Sequence, residues 1–350
     1  MSARRPSLSG SRRLAAVFVL ALVASLALAG CGAKDKAPDK AADPLGTEGG
    51  TQLAAVWPLT GLPVTGSTPK HPVMIVKIDN SFQSKPQVGL GKADMVVQEL
   101  VEGGITRLAA MFYTHLAPVA GPVRSARASD IGVVTPTHAV LIASGMAPPT
   151  KGRLNAAGVT YYEMGAPGVA RDNNDPNHDS LHSVFVKLPV LAASIKKAPV
   201  VPAAYLPWGA ESDFTGAAPA TSISSSFTGG ASATKFVYKA KSKTYENTNS
   251  FAGSGDEFKP SSLLVLRVRE GNAGYLDPAG NTVPETLFYG KGTLALFHDG
   301  QIVRGTWSKA KRSSPLVLTT AAGPLKVPAG HVWIQLLPRD KDGGKLSFER

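Results

Sequence analysis

The sequence predicts a mixed α/β (α+β) N-terminal domain followed by a β-rich C-terminal domain. Apolar runs of strand length recur along the chain between turn-forming residues, 36 Gly and 27 Pro among them. Helical stretches are predicted only in the N-terminal domain, at Lys151–Ala157 and near Pro189–Lys196. With about 150 residues per domain, a chain of 350 residues suggests two domains after removal of a leader. The predicted order is a signal peptide (1–30), a linker (31–54), the α/β domain (55–200), a connection (201–220), the β-rich domain (221–340) and a polar tail (341–350).

The first thirty residues have the features of a secretory signal peptide. Four arginines precede the apolar run Leu14–Ala29, which is short for a spanning helix of about 20 apolar residues. The run ends at Leu28-Ala29-Gly30-Cys31, which resembles the bacterial lipobox. We therefore predict that Cys31 is acylated, with palmitate among its lipids, and anchors the protein at the extracytoplasmic face of the cell membrane. A plain secretory leader and an uncleaved anchor are the alternatives.

The composition of the rest of the chain excludes several kinds of site. Residues 31–54 are rich in Ala, Lys, Asp, Gly and Pro and predict a flexible linker. Because Cys31 is the only cysteine, the folded part has no intrachain disulfide, cysteine-ligated zinc or thiol nucleophile. The net charge of +12 falls to +8 without the four leader arginines. This excess favours a basic soluble surface and leaves open an attraction to an anionic membrane face or wall polymer.

The first strand of the α/β domain is predicted at His71–Asn80, an apolar run that ends in two polar residues. The favoured interpretation is that Asp79 and Asn80 cap the next turn. In an open α/β sheet they would instead lie at the carboxyl-end crevice, where such folds bind ligands.

A β-hairpin is predicted directly afterwards, from Asp94–Val101 and Ile105–Tyr113. Glu102-Gly103-Gly104 suits the tight turn between them, because glycine allows positive φ. Glu99 and Arg107 then face each other across the ladder.

Arginines follow in the loop Gly121–Arg127. Arg124 and Arg127 share a face if a helix starts here, with Ser129 or Asp130 as its cap. The favoured interpretation pairs these arginines with the hairpin glutamates and so locks hairpin to loop. The alternative is an anion site for phosphate or carboxylate. The candidate ligand-binding residues are Glu99, Glu102, Arg107, Arg124, Arg127, Asp79, Asn80 and His182.

Arg171–His182 is the most polar stretch after the linker. Pro176 and the missing glycine and terminal glutamate break the calcium-loop pattern. His178 and His182 have the spacing of zinc ligands on a helix, but the glutamate of H-E-x-x-H is absent. We therefore predict no metal and no cofactor, and a surface loop in which His182 bonds to backbone.

The β-rich domain has its sharpest signal at Asp299-Gly300, which lies between two apolar runs and is typical of a type I′ hairpin. Trp307 and Trp333 are interpreted as core residues, with a sugar-stacking platform as the alternative.

Six stretches resemble the DUF3048 family of YerB-type bacterial lipoproteins. The family implies an N-terminal and a C-terminal domain and a lipid anchor, and it implies no established activity. At His182 this chain reads Leu181-His182-Ser183 where the family has Pro-His-Asn, which leaves a carried-over role for His182 open. The stretches are WPLTGLP (57–63), KPQVGLGKAD (85–94), EGGITR (102–107), GPVRSAR (121–127), GTWSK (305–309) and GHVWIQL (330–336).

Two functions follow as hypotheses. The first is a lipid-anchored binding or scaffolding protein whose Arg/Glu-lined site grips an anionic wall polymer, a lipid diphosphate or an envelope protein. Its motivation is the lipobox together with the absence of a G-x-S-x-G elbow or a Walker loop from the sequence. No basic helix with interleaved aromatics appears, so nucleic acid is excluded as a partner.

The alternative is an enzyme, a phosphotransferase or hydrolase acting on a phosphate-bearing wall precursor. Arg107, Arg124 and Arg127 would clamp phosphates, and Glu99 or Glu102 would act as base. This hypothesis rests on a loose analogy with the LytR-CpsA-Psr phosphotransferases.

Overall fold

Strands dominate the regular structure. The computed structural model describes residues 47–48, 51–52, 55–196, 200–228 and 233–350. The helices are α1 (Asp130–Val134), α2 (Pro148–Ala156) and α3 (Leu188–Ser194). The strands are β1 (Thr47–Glu48), β2 (Thr51–Gln52), β3 (Met74–Asn80), β4 (Met95–Leu100), β5 (Thr106–Phe112), β6 (Val140–Ile142), β7 (Thr160–Tyr162), β8 (Val169–Arg171), β9 (Val184–Val186), β10 (Trp208–Gly209), β11 (Ala218–Pro219), β12 (Ser222–Ser226), β13 (Ala233–Lys239), β14 (Thr244–Asn247), β15 (Ser262–Leu276), β16 (Thr282–Leu287), β17 (Gly290–His298), β18 (Gln301–Lys309), β19 (Val317–Thr320), β20 (Gly323–Pro324), β21 (Val327–Pro328), β22 (Val332–Pro338) and β23 (Lys345–Glu349).

The chain divides into two units at residue 52, and the structure describes only residues 47–48 and 51–52 of the first. In the first, β1 and β2 form a short antiparallel pair within the predicted linker. The predicted signal peptide and Cys31 lie outside the described residues. Among the helices that the structure describes, none combines the length and the apolar character that crossing a membrane requires.

One large sheet organises the second unit. Its path runs β20-β19-β18-β17-β15-β22-β4-β5-β3-β6-β7, with β11 and β16 paired at its side, thirteen strands in all. The parallel pair β22–β4 joins the two predicted domains, with Ile334 opposite Val97. The large sheet therefore contains strands from both predicted domains, residues 55–200 and 221–340.

The strands read as continuous apolar runs because both faces of the sheet are covered. Along β3, Ile75 enters one hydrophobic core, whereas Met74, Val76 and Ile78 enter the other. A residue's parity along its strand thus decides which core it joins.

Different elements cover the two faces. On the first face, Ile131 and Val133 of α1 and Leu154 of α2 pack against the sheet. On the second face lie α3, the β8–β9 hairpin and a four-stranded sheet ordered β14-β13-β12-β23, which contributes Ile223 and Phe236. The sheet therefore lies between a thin helical layer and a mixed layer.

The β-rich character of the fold is confirmed, with 41% strand and 13% helix. Helices are few even where the α/β domain is predicted, and the parallel pair β6–β7 with α2 between its strands is the clearest α/β unit there. The Asp299-Gly300 turn is confirmed, with φ of 48° and 70°. Trp307 and Trp333 are buried, which confirms their assignment to the core.

The predicted polar tail over 341–350 is wrong. β23 pairs with β12 over five residues as an edge strand of the four-stranded sheet. The ring of Phe348 lies 5.7 Å from that of Phe297, and the Arg304 guanidinium lies over it at 5.3 Å. Apolar and polar residues alternate in this short segment, so only one of its faces is covered.

Removal of residues 345–350 should lower the free energy of unfolding by about 2–4 kcal/mol, because it uncovers apolar surface and frees the edge of β12. Urea denaturation followed by tryptophan fluorescence measures the loss. Removal of Arg350 alone is the control and should cost almost nothing. Equal stability of the long truncation and the full chain would contradict the edge-strand assignment.

Candidate functional site

Charged side chains converge on the first face of the sheet, where β3 and β4 end and β5 begins. The hairpin turn is confirmed, with φ of 71° at Gly103 and 72° at Gly104. Arg107 on the middle strand lies opposite Glu99 on one side and opposite Asp79 on the other. The predicted Glu99–Arg107 register is therefore confirmed. We name the following side chains the charge cluster: Lys77, Asp79, Glu99, Glu102, Arg107, Arg124, Arg127, Asp130 and His182.

Lys77 is the cation at the centre of the charge cluster. Its Nζ lies 2.5 Å from Glu99 Oε1 and 2.8 Å from Asp130 Oδ1, and all three side chains are buried. Burial lowers the pKa of Lys77, but the two carboxylates outweigh burial and the net pKa is raised. Burial raises the pKa of Glu99 to about 7, against the attraction of Lys77. Sequence reasoning missed Lys77, although a lysine inside the apolar run Met74–Ile78 is a signal.

Glu102 holds two arginines. Its Oε1 accepts a hydrogen bond from Arg107 Nη2 at 3.1 Å and another from Arg127 Nη2, and its Oε2 accepts one from Arg127 Nε at 2.8 Å. Burial tends to raise the pKa of Glu102, but the bonds from Arg127 and the charge of Arg107 lower it to about 2. Burial and the neighbouring charge of Arg127 lower the pKa of Arg107 to about 10.

These contacts tie the hairpin to the arginine loop. Arg107 Nη1 also donates to the Ser125 carbonyl at 2.9 Å, and Arg127 Nη1 donates to the Ala126 carbonyl at 2.8 Å. The favoured interpretation, in which Arg124 and Arg127 pair with the hairpin glutamates, holds for Arg127 and not for Arg124, which pairs with Asp79. Arg107 shares Glu102 with Arg127, whereas Glu99 pairs with Lys77.

The rim of the charge cluster is formed by Arg124, Asp79 and His182. Arg124 Nε and His182 Nε2 each lie 3.2 Å from Asp79 Oδ2. Arg124 is 23% exposed, whereas Asp79 is only 1% exposed. Neither carboxylate oxygen of Asp79 has a hydrogen-bond partner among the described residues. Asp79 Oδ2 is shared by the two ion pairs, which leaves Asp79 Oδ1 as the acceptor without a donor.

Two local predictions at the site are wrong. Asp79 does not cap the next turn, because its side chain faces Arg124 and His182 across the loop. Asn80 lies apart from the charge cluster, where its Nδ2 donates to Thr106 Oγ1 at 2.8 Å. The next residue along a strand points to the opposite face, which separates Asn80 from Asp79.

The condition under which Arg124 and Arg127 would share a helix face is not met. α1 begins only at Asp130, after Arg127. Ser129 occupies the N-cap position without a capping bond, and its Oγ accepts the Thr286 N–H at 3.0 Å. Asp130 Oδ2 accepts the backbone N–H of Arg127 at 2.7 Å, which fixes the end of the loop.

Each histidine of the polar loop that ends at His182 contacts an aspartate of the same loop. His178 Nδ1 lies 2.5 Å from Asp175 Oδ2, and His182 Nδ1 lies 2.7 Å from Asp179 Oδ1. His182 thus contacts two carboxylates, which corrects the expected bond to backbone. Within the described ranges, no group of three or more His, Cys, Asp or Glu side chains is placed to hold a metal ion.

The interior and the rim of the charge cluster differ in how far their side chains are exposed to solvent. Leaving His182 aside, four cations face four carboxylates, so the cluster is close to neutral. Arg107 and Arg127 are 2% and 9% exposed, so they are held inside the protein. The four clefts that the structure describes are lined by other residues. Within the charge cluster, Arg124 is therefore the arginine best placed to meet a ligand.

The chain belongs to a class of proteins defined by two successive domains. The description "Protein of unknown function (DUF3048) N-terminal domain" matches residues 59–201, and its C-terminal counterpart matches 223–334. The chain belongs to the DUF3048 family. It is 26% identical over 332 residues to "Putative lipoprotein YerB" of Bacillus subtilis strain 168, which covers 91% of this chain and 94% of that protein. The crystal structure of YerB from Bacillus subtilis has the same fold, with a TM-score of 0.68 at 20% identity over 84% of this chain and 99% of that chain.

Replacement of Lys77 by Met should destabilise the protein strongly, because two buried carboxylates lose their counter-charge. We expect a loss of about 3–5 kcal/mol at pH 8, measured by urea denaturation. The folded-state pKa of Glu99 already exceeds its unfolded value, and removal of Lys77 raises it further. Protonation then favours the folded state, so the loss should be smaller at pH 5 than at pH 8.

Two further variants control this experiment. Lys92→Met removes an exposed lysine and should leave the free energy of unfolding nearly unchanged. Lys77→Met combined with Glu99→Gln should recover part of the stability at pH 8. A loss for Lys77→Met that is equal at both pH values would contradict the role of its charge.

Proposed function

We propose that the protein is a lipid-anchored, extracytoplasmic binding or scaffolding protein of the bacterial cell envelope. The lipobox at Cys31 supports the anchor, and a relative that covers most of the chain is named as a lipoprotein. An acyl chain contributes about 0.8 kcal/mol per buried methylene, so two or more chains hold the protein at the membrane.

The binding function depends on the rim of the charge cluster. The observation that carries the proposal is the pair of buried Asp79 oxygens beside the half-buried Arg124. A ligand that fits must bring an anionic group for Arg124 and a donor, such as a hydroxyl or an amine, for Asp79. A purely anionic ligand would be repelled by Asp79.

The chemistry of the rim favours envelope material that combines charge with hydroxyl or amino groups. A phosphate-bearing wall polymer or a lipid diphosphate with a sugar meets both requirements. A protein segment that carries a carboxylate next to an amide meets them as well. Because the interior arginines are already paired with Glu102, their proposed role is to fix the rim rather than to hold the ligand.

A second function, catalysis on a phosphate-bearing wall precursor, has one observation in its favour. Glu99 has a pKa of about 7 and a carboxylate oxygen without a hydrogen-bond partner among the described residues, as a general base requires. Glu99 is, however, paired with Lys77 at 2.5 Å, and the charge of Lys77 favours the ionised carboxylate and so opposes the uptake of a proton from a substrate. Binding therefore remains the favoured proposal.

The anchor is tested by Cys31→Ala. The variant should leave the membrane fraction and should lose the lipid mass from its N-terminal peptide. Ser25→Ala is the matched control, because it leaves both the apolar run and the cysteine in place. Wild-type protein that carries no lipid and fractionates like Cys31→Ala would refute the anchor.

The rim is tested with glycerol 3-phosphate, which carries a phosphate and two hydroxyl groups. Isothermal titration with the full chain in non-ionic detergent should give saturable binding that Arg124→Gln weakens at least tenfold. Lys345→Gln, a change at an exposed cation far along the sequence, should bind like the wild type.

His182→Gln gives a second measure at the rim if Arg124→Gln folds poorly, and it should also weaken binding. Equal affinity of all variants would contradict the proposed site. Release of phosphate from a lipid diphosphate, abolished by Glu99→Gln, would favour the enzyme instead.

A further inference from the structure

A second charged site lies away from the rim, in a cleft of about 640 Å³. Its walls are formed by the end of α2, by Tyr289 directly before β17, and by the loop between β18 and β19. Its polar lining consists of Thr135, Arg153, Tyr289, Lys311, Arg312 and Ser313. None of these residues was singled out as a site from the sequence.

One buried carboxylate orients two arginines toward this cleft. Glu285 accepts hydrogen bonds from Arg153 Nη1 at 2.8 Å and Nη2 at 2.5 Å, and from Arg312 Nη2 at 3.0 Å. Glu285 itself is buried, whereas the Arg153 and Arg312 side chains are 35% and 34% exposed. Each guanidinium has five N–H donors, so most of them remain for a ligand.

An aromatic ring fixes the second arginine further. The Arg312 guanidinium lies 4.5 Å from the centroid of the Tyr289 ring, and Arg269 lies 5.8 Å from the same ring. Cation–π contacts of this kind hold a guanidinium without using its N–H donors. Arg312 is therefore positioned in advance, which reduces the entropy lost when a ligand binds.

Hydrogen bonds from buried groups fix the loop that carries Lys311 and Arg312. Buried Lys309 donates from its Nζ to the carbonyl oxygens of Lys311 and Arg312. Ser314 N–H donates to the Lys311 carbonyl at 3.1 Å, and Lys311 N–H donates to Ser314 Oγ at 3.1 Å. These bonds draw carbonyl oxygens toward the interior and leave the Lys311 side chain in solvent.

The balance of charge in the cleft is positive. Arg153, Lys311 and Arg312 face the single carboxylate of Glu285. A ligand with two negative charges would make this group of side chains neutral.

We propose that this cleft binds a phosphoryl group, carried by a small molecule or by a lipid headgroup. The planar forks of Arg153 and Arg312 match phosphate oxygens, and Lys311 adds a mobile charge at the entrance. The cleft is larger than one phosphate, so it accommodates the group to which the phosphate is attached. This inference is independent of the rim at Arg124, because the two sites share no residue.

Inorganic pyrophosphate is the soluble probe. Isothermal titration into the full chain in non-ionic detergent at low ionic strength should show one-site binding that Arg312→Gln weakens at least tenfold. Lys311→Gln, at an exposed side chain, should weaken binding about threefold without affecting the fold. Arg124→Gln and Lys345→Gln are the controls and should bind like the wild type.

Vesicles distinguish the source of the phosphoryl group. If a lipid headgroup is the ligand, co-sedimentation of the detergent-free Cys31→Ala chain with phosphatidylglycerol vesicles should exceed that with phosphatidylcholine vesicles, and Arg312→Gln should abolish the excess. If the ligand is soluble, pyrophosphate binds and the two vesicle types behave alike. The proposal is overturned if neither probe binds, or if Arg312→Gln and Lys311→Gln bind both probes like the wild type.

Discussion

The charge of Lys77 is the constraint on which the site depends. A lysine with no exposed surface is tolerated only with counter-charges at contact distance, and Glu99 and Asp130 supply them. Glu99 comes from β4 and Asp130 from the first residue of α1. The ion pairs therefore fix the position of α1 on the sheet, and with it the loop that carries the arginines.

This constraint explains why so much charge lies inside the protein. Apolar residues fill the first core up to the level of Val97 and Ala109, and beyond that level the charge cluster lies in their place. The charge cluster contains two sets of ion pairs. Lys77 with Glu99 and Asp130 joins β3, β4 and α1. Glu102 with Arg107 and Arg127 joins the hairpin turn, β5 and the arginine loop. Their near neutrality favours a structural role for the interior and leaves binding to the groups that reach the surface.

The sequence predicts local features of this arrangement well and long-range ones poorly. The hairpin and the Glu99–Arg107 register follow from strand periodicity and two glycines, which are local. The partner of Lys77 depends on where α1 docks, and no local pattern specifies that position. The shared sheet depends on the parallel β22–β4 pair, whose strands are more than two hundred residues apart. β23 was missed because an edge strand with one covered face has little apolar content.

The structure shows two places where one carboxylate binds two arginines, and the solvent exposure of those arginines decides what each group can do. Glu102 binds Arg107 and Arg127, and Glu285 binds Arg153 and Arg312. In both cases one carboxylate holds two guanidiniums and leaves a positive charge. The first pair of arginines is buried, so that charge is balanced within the protein by neighbouring acids. The second pair opens on a cleft lined by Arg153, Lys311 and Arg312 but by no carboxylate among the described residues, so a ligand can supply negative charge there.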